Sequence, residues 1–249
     1  MYVNNFLLAA NPFFDAYIQS DFLGKLIFVG LVMLSIVSWS LMIHKYLMTR
    51  SARQNSQNFY NNFQNQKGNL LVFDQEIGKK KEYQSPYFNL FSTLKRSTVD
   101  LLNKNHRHLE NNALESVSPK LSPTDMEFIE GNLATAIATE VQILEKNLFI
   151  LSTVVSLGPF LGLLGTVWGI LISFSEMQTN TSGNANQMIL GGISLALATT
   201  VLGLIDAIPA LIGYNYLKNS IYSFQTEMEG FSNQLLSSVE IQYRKVDIL

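Results

Sequence analysis

Cysteine is absent from the 249 residues, which excludes a disulfide framework and any Cys-ligated metal. Charge is scarce as well. Asp, Glu, Lys and Arg make up 14% of the chain and hydrophobic residues 47%, whereas a soluble domain carries about 25% charged residues. The net charge of −2 leaves no basic footprint for nucleic acid. Between Lys146 and Lys218 there is no Lys or Arg at all. The first residues, M-Y-V-N-N-F-L-L-A-A-N-P-F-F-D, lack the basic n-region of a cleavable signal, so the first apolar run is expected to act as an uncleaved anchor. No G-x-S-x-G nucleophile motif and no metal-ligand set accompany the apolar runs; an enzyme is the least favoured class, and no cofactor or metal is expected.

What is present is three apolar runs. Leu26 to Ile43 is uncharged, with Lys25 placed to snorkel to headgroups. Leu148 to Phe174 is uncharged, and a third run from Met188 to Leu217 is broken only by Asp206. Basic residues flank one side of each run: His44, Lys45, Arg50 and Arg53 after the first, Lys146 before the second, Lys218 after the third. The connection E-M-Q-T-N-T-S-G-N-A-N-Q between the last two has none. The positive-inside rule therefore predicts an all-α integral membrane protein with three transmembrane helices, its N-terminus outside and its C-terminus in the cytoplasm. The expected organisation is an outer segment 1–21, span one 22–44, a cytoplasmic helical part 45–147, span two 148–174, an outer loop 175–187, span three 188–217 and a cytoplasmic C-terminal helix 218–249.

In the cytoplasmic part, Ser85-Pro86 opens a helix in which Phe88, Phe91, Leu94, Val99, Leu101 and Leu102 follow approximate helical spacing. Lys79, Lys80 and Lys81 read as a solvated turn, with anionic lipid as the other reading. His106 and His108 form an H-x-H pair with no third ligand in reach of the pattern, which reads as an exposed helix end. After Pro119 and Pro123, Thr124 and Glu127 match a capping box. Met126, Ile129, Leu133, Ile137, Val141, Leu144 and Leu148 then recur every three or four residues. The stripe predicts one helix from Thr124 to Phe174, roughly 75 Å long. Ile221, Phe224, Met228, Phe231, Leu235, Leu236 and Val239 extend span three in the same way. Spans two and three are thus expected to continue into long cytoplasmic helices that pack within and between subunits.

Gly158, Gly162, Gly165 and Gly169 give span two two small-xxx-small pairs, which allow close helix approach in lipid. Pro159 invites a kink, and Pro209 could loosen span three. The G-x-x-G-x-x-x-G pattern follows no strand and is not a dinucleotide loop. Thr166 in span two and Thr199 and Thr200 in span three are polar residues at intermediate depth. Back-bonding to their own helices is one reading of them; together with Asp206, an expensive intramembrane acid, they otherwise suggest a hydrated interhelical path. Asp206 reads as a proton relay, a neutral hydrogen-bonded acid at a subunit contact, or a hydrated carboxylate near the cytoplasmic end. At 100° per residue, Leu195, Thr199 and Asp206 share one helix face, and Thr200 lies about 120° away from Asp206.

G-L-L-G-T-V-W-G-I in span two, A-T-T-V-L-G-L-I-D-A-I-P-A in span three and the following Tyr214 and Asn215 resemble the TolQ/ExbB/MotA group of ion-channel motor subunits. S-I-V-S-W-S-L-M-I and E-V-Q-I-L-E-K-N-L match its first span and the approach to its second. The resemblance implies a homopentameric ring in the inner membrane of a Gram-negative cell, around two single-span partners similar to TolR or ExbD. It also implies a periplasmic energiser similar to TolA or TonB, serving envelope integrity or outer-membrane uptake. The transported ion would be H⁺. The essential aspartate would belong to the partner, and the ring would line the path with Thr166 and Thr200, the latter three residues before Gly203. Two positions depart from the group: Leu195 stands where it has a glutamate, and Leu190-Gly191-Gly192 replaces A-P-G. Asp206 falls where the group has alanine, and is expected to replace the lost acid. The short segment before span one favours a TolQ-like over an ExbB-like role; MotA has four spans, and a flagellar-stator-like subunit is the alternative within the group. A passive membrane scaffold without ion conduction is the competing class.

Overall fold

The computed structural model describes residues 12–65, 85–111, 119–179 and 185–243, and among these the regular structure is helical throughout. Among the described residues six helices follow one another: α1 Pro12–Gln19, α2 Phe22–Asn65, α3 Pro86–Asn111, α4 Pro123–Glu145, α5 Leu148–Thr179 and α6 Ala185–Tyr243. α2, α5 and α6 are each long and apolar enough to cross a membrane. The chain divides into two compact units, and α2 and α6 contribute residues to both. Lys79, Lys80 and Lys81 lie outside the described residues.

The first unit comprises Met1–Lys45 and Asn147–Tyr216. Its three long helices bury small residues against one another and turn large apolar ones outward, among them Met33, Ile36, Phe160, Val167 and Leu197. So much exposed apolar surface suits hydrocarbon rather than water. The directions of the helices can be read from close contacts. On α2 and α6, Gly24 meets Leu195, Ser35 meets Asp206 and Gly213 meets Met42, each pair being 171 residues apart. A constant separation means that the two helices run parallel and in register. α5 runs antiparallel to α6: Gly158 meets Gly203, Gly162 meets Thr200 and Gly169 meets Gly192. That alternation is what three successive crossings require. Pro159 and Pro209 sit inside helices that continue through them.

The second unit comprises Tyr46–Lys146 and Leu217–Leu249. α3 and α4 are antiparallel, cross-linked by Asn89 Nδ2 to Glu140 Oε1 at 2.7 Å, Asn132 Nδ2 to Ser97 Oγ at 3.1 Å and Asn105 Nδ2 to Asp125 Oδ2 at 3.1 Å. The core is aromatic. Phe59 and Tyr87 are buried against Phe231, whose ring stacks on Tyr87 at 4.4 Å, and Phe91 packs on Phe59. Exposed Arg53 forms a bidentate pair with Glu227. The α6 stripe of Ile221, Phe224, Met228, Phe231, Leu235 and Val239 is buried, with Leu236 at its edge. On α3 the buried positions are Pro86, Tyr87, Leu90, Phe91, Leu94 and Thr98; Phe88, Val99, Leu101 and Leu102 are only half-buried. His106 and His108 are exposed near the end of α3.

Two expectations are corrected. The stripe from Met126 to Leu148 does not form one helix with span two. α4 ends at Glu145, and Asn147 adopts φ 67 before α5 starts at Leu148. Asn tolerates the left-handed region, and the Lys146 N–H still bonds to Gln142 O at 3.0 Å, closing α4. Periodicity survives the break because Leu144 and Leu148 are buried in successive helices. Span one, rather than span two, joins span three in running on as an unbroken helix, to Asn65. The capping box is also moved. Ser122 is the N-cap and Asp125 its partner, in place of Thr124 and Glu127, with Ser122 Oγ accepting from Asp125 N and Asp125 Oδ2 accepting from Ser122 N at 2.9 Å. Pro123 fixes this start, since its locked φ suits the first helical position and it has no N–H to satisfy.

Candidate functional site

Gly158, Gly162, Gly165 and Gly169 are all buried and form one edge of α5. The opposing edge of α6 is Gly203, Thr200, Thr199, Ala196 and Gly192. A methyl group on Gly162 would lie 3.0 Å from Thr200 Cα and 3.1 Å from Thr199 O; one on Gly169 would lie 2.5 Å from Gly192 O. Backbone therefore rests on backbone along three turns, as small residues permit in the absence of a hydrophobic drive between helices. Ser173 closes the Gly169–Gly192 end of the seam, donating to Gly169 O at 2.9 Å and Ile189 O at 3.2 Å.

The threonines take three different positions around this seam. Thr199 is fully buried, fills the notch over Gly165, and donates to the Leu195 and Ala196 carbonyls of its own helix at 3.1 and 2.9 Å. Thr200 donates across the seam to Gly162 O at 3.1 Å. Thr166 donates to Leu163 O of its own helix at 2.7 Å and stays half-exposed. Back-bonding accounts for Thr199 and Thr166; Thr200 bonds between helices. In each case the hydroxyl hydrogen is committed to a carbonyl while the oxygen keeps acceptor capacity.

Leu195, Thr199 and Asp206 are all buried and share the inward face expected from their spacing. Asp206 reaches α2. Its side-chain hydrogen-bond partner is Ser35 of α2, while the next residue, Ala207, packs on Gly158. Leu195 also faces α2: a methyl group on Gly24 would lie 2.5 Å from Leu195 Cδ2. Thr200 and Asp206 thus address different neighbouring helices, in keeping with their 120° separation.

Ser35, Ser173 and the pair Asp21–Trp168 belong to the same assembly without having been singled out in the sequence. Asp21 precedes α2 and accepts from Gly24 N at 3.0 Å and Leu23 N at 3.3 Å, an ordinary N-cap; an acid just before an apolar run is a signal for that capping role. Its third donor, Trp168 Nε1 at 2.9 Å, comes from 147 residues away and leaves no local trace.

A family profile described as the MotA/TolQ/ExbB proton channel family matches residues 102–230. The chain is 24% identical to the Tol-Pal system protein TolQ of Haemophilus influenzae, over 92% of this chain and 94% of that one. It is 28% identical to the biopolymer transport protein ExbB of Pseudomonas putida, over 88% of this chain and 61% of that one. To the ExbB of Salmonella typhimurium it is 26% identical, over 98% and 92%. TolQ and ExbB relatives thus stand at similar identity. With a profile match over half its length, across the glycine–threonine seam, the chain belongs to the MotA/TolQ/ExbB proton channel family.

Proposed function

We propose that the chain is the ring-forming inner-membrane subunit of a motor complex driven by the proton motive force. Copies of it, five by resemblance, surround single-span partner helices similar to TolR or ExbD. Proton flow between ring and partner does work on a periplasmic energiser similar to TolA or TonB. The distribution of Lys and Arg supports an N-terminus outside and a C-terminus in the cytoplasm.

One observation carries this reading: Thr199 and Thr200 lie on the glycine-lined seam between α5 and α6, and Thr166 stands half-exposed on the flank of α5 next to Gly165. In hydrocarbon, oxygens with spare acceptor capacity are the groups that hold water, and a file of water is what a proton needs to cross. The carboxyl that takes up and releases the proton is the partner's. Thr166 and Thr200 hold the water beside it, Thr199 supports them from within the seam, and Asp206 with Ser35 provides a second polar step on the α2 side. The transported ion is H⁺, and the chain itself holds no reacting cofactor.

The test is proton flux into vesicles containing the full chain and its single-span partner, followed with an entrapped pH-sensitive dye. Thr166→Ala with Thr200→Ala is expected to abolish most of the flux while the complex still assembles, and Asp206→Asn to reduce it. Undiminished flux in the double variant would remove the threonines from the path. No flux in the parent, with an activating energiser present, would favour a passive scaffold.

A further inference from the structure

Three elements of the first unit converge on one carboxylate. Asp21 Oδ1 accepts from Gly24 N at 3.0 Å, and Asp21 Oδ2 accepts from Leu23 N at 3.3 Å and from Trp168 Nε1 at 2.9 Å. Beside it, Gly24 leaves no space for a methyl group: one would lie 2.5 Å from Leu195 Cδ2 of α6 and 2.9 Å from Asp21 Oδ1 itself. Ser20 secures the preceding turn by donating through Oγ to Tyr17 O at 2.7 Å. The cap of α2, the indole of α5 and the Leu195 turn of α6 therefore meet within one side chain's reach of Asp21.

This matters because of how α5 is otherwise held. Its contact with α6 is made by four glycines against backbone and small side chains. That contact, with the Thr200–Gly162 O and Ser173–Ile189 O bonds across it, ties α5 along one flank only. A polar bond from another direction adds a second restraint on turning, and Trp168 supplies one to Asp21, the N-cap of α2. Thr166 lies two residues before Trp168, about 200° round the helix. Holding the indole against α2 therefore sets Thr166 on the far flank, which is where it is found, half-exposed.

We propose that Asp21 is a positioning residue: by accepting from Trp168 it fixes the rotational setting of α5, and so the direction in which Thr166 faces. The role of Thr166 in proton passage rests on the function proposed above; the rotational stop does not, and it is measured without any flux.

Because the chain has no cysteine, single reporters are clean. Thr166→Cys and, separately, Leu164→Cys are introduced into the full chain in vesicles, and the rate of modification by N-ethylmaleimide is followed. Leu164 is 48% exposed and lies about 200° from Thr166, on the Trp168 side of α5. Trp168→Phe keeps an aromatic ring and removes the N–H, so it is the decisive change. Losing a hydrogen bond to a carboxylate should shift the populations roughly tenfold, and a helix that turns must expose one flank as it hides the other. The expected result is that Trp168→Phe and Asp21→Ala change the two reporter rates in opposite senses, while Asp21→Asn, whose amide oxygen can still accept, stays near the parent. Unchanged rates in Trp168→Phe, or rates at both reporters that rise together as in general loosening, overturn the proposal. If Asp21→Ala fails to assemble, Trp168→Phe decides alone. Opposite shifts at the reporters together with unaltered proton flux would leave the rotational stop standing and sink the role of Thr166.

Discussion

Adding one methyl group at Gly169 should cost far more than adding the same group at Gly30. At Gly169 the new Cβ would stand 2.5 Å from Gly192 O, 3.0 Å from Ala196 Cβ and 3.1 Å from Ala196 N. None of these is the free end of a flexible side chain. Reaching ordinary contact at about 3.4 Å means moving one helix by about 0.9 Å against the other, and overpacking of this kind costs about 1–3 kcal/mol. At Gly30 nothing lies within 4 Å, so only the helix propensity of Ala acts, in its favour by up to about 1 kcal/mol. That propensity gain is common to both sites and cancels in the comparison. Gly169→Ala is therefore expected to lie about 1–3 kcal/mol below Gly30→Ala in unfolding free energy. Denaturant titration of the detergent-solubilised full chain, read by helical circular dichroism, measures the gap. The reasoning fails if Gly169→Ala is as stable as Gly30→Ala, because the seam would then have slack that the contacts deny.

Two further outcomes concern the connections around α4. Asn147, at φ 67, should accept Gly without loss, whereas Ala should lower stability by about 1–2 kcal/mol in the same titration; an indifferent Ala would mean that the break between α4 and α5 is not held by Asn147. Burial alone would raise the Asp125 carboxyl, yet hydrogen bonds from the Ser122 backbone, Asn105 and the Ser122 hydroxyl, with Lys104 nearby, hold it below the ordinary range. A carboxyl depressed on folding stabilises above its unfolded value of about 4 and loses that contribution as pH falls through its lower folded value. The stability gap between parent and Asp125→Asn should therefore narrow as pH is lowered from 5 to 3; a gap independent of pH contradicts the assignment.

The sequence made some of this legible because faces repeat locally. Ile221, Phe224, Met228 and Phe231 announce a buried stripe, and they are buried. The glycines of span two announce close approach, and each meets α6. What periodicity does not encode is the single residue that ends a helix while preserving phase, as Asn147 does between Leu144 and Leu148. A run of seven well-spaced apolar residues therefore concealed a break. Capping was misplaced by two residues because Thr124–Glu127 and Ser122–Asp125 both fit the pattern, and Pro123 decides between them through backbone geometry. Partners across the chain were out of reach for a simpler reason: neither Trp168 nor Ser35 carries a local mark of the acid that it meets.

The parallel register of α2 and α6 changes what the acid at position 206 means. Leu195 and Asp206 share a face, and that face meets α2, at Gly24 and Ser35 respectively, eleven residues apart on both helices. Helices in register with the same spacing present matching turns at every contact, so a carboxyl moved from one level to another still addresses span one. At the Leu195 level, span one already brings a carboxyl of its own, since Gly24 lies between Leu195 Cδ2 and Asp21 Oδ1. An acid on α6 at that height would face Asp21 across a few ångströms in a low-dielectric setting, where like charges repel strongly. The apolar Leu195 avoids that conflict and leaves Asp21 to Trp168, while Asp206 stands three turns away with a hydroxyl for a partner. Asp21 and Asp206 are thus kept apart by about 16 Å of helix, at 1.5 Å per residue. Leu195→Glu should accordingly weaken the Asp21–Trp168 bond, and it should recover in Leu195→Glu combined with Asp21→Asn. Thr166→Cys modification rates report both, and a Leu195→Glu chain that labels like its parent would refute the conflict.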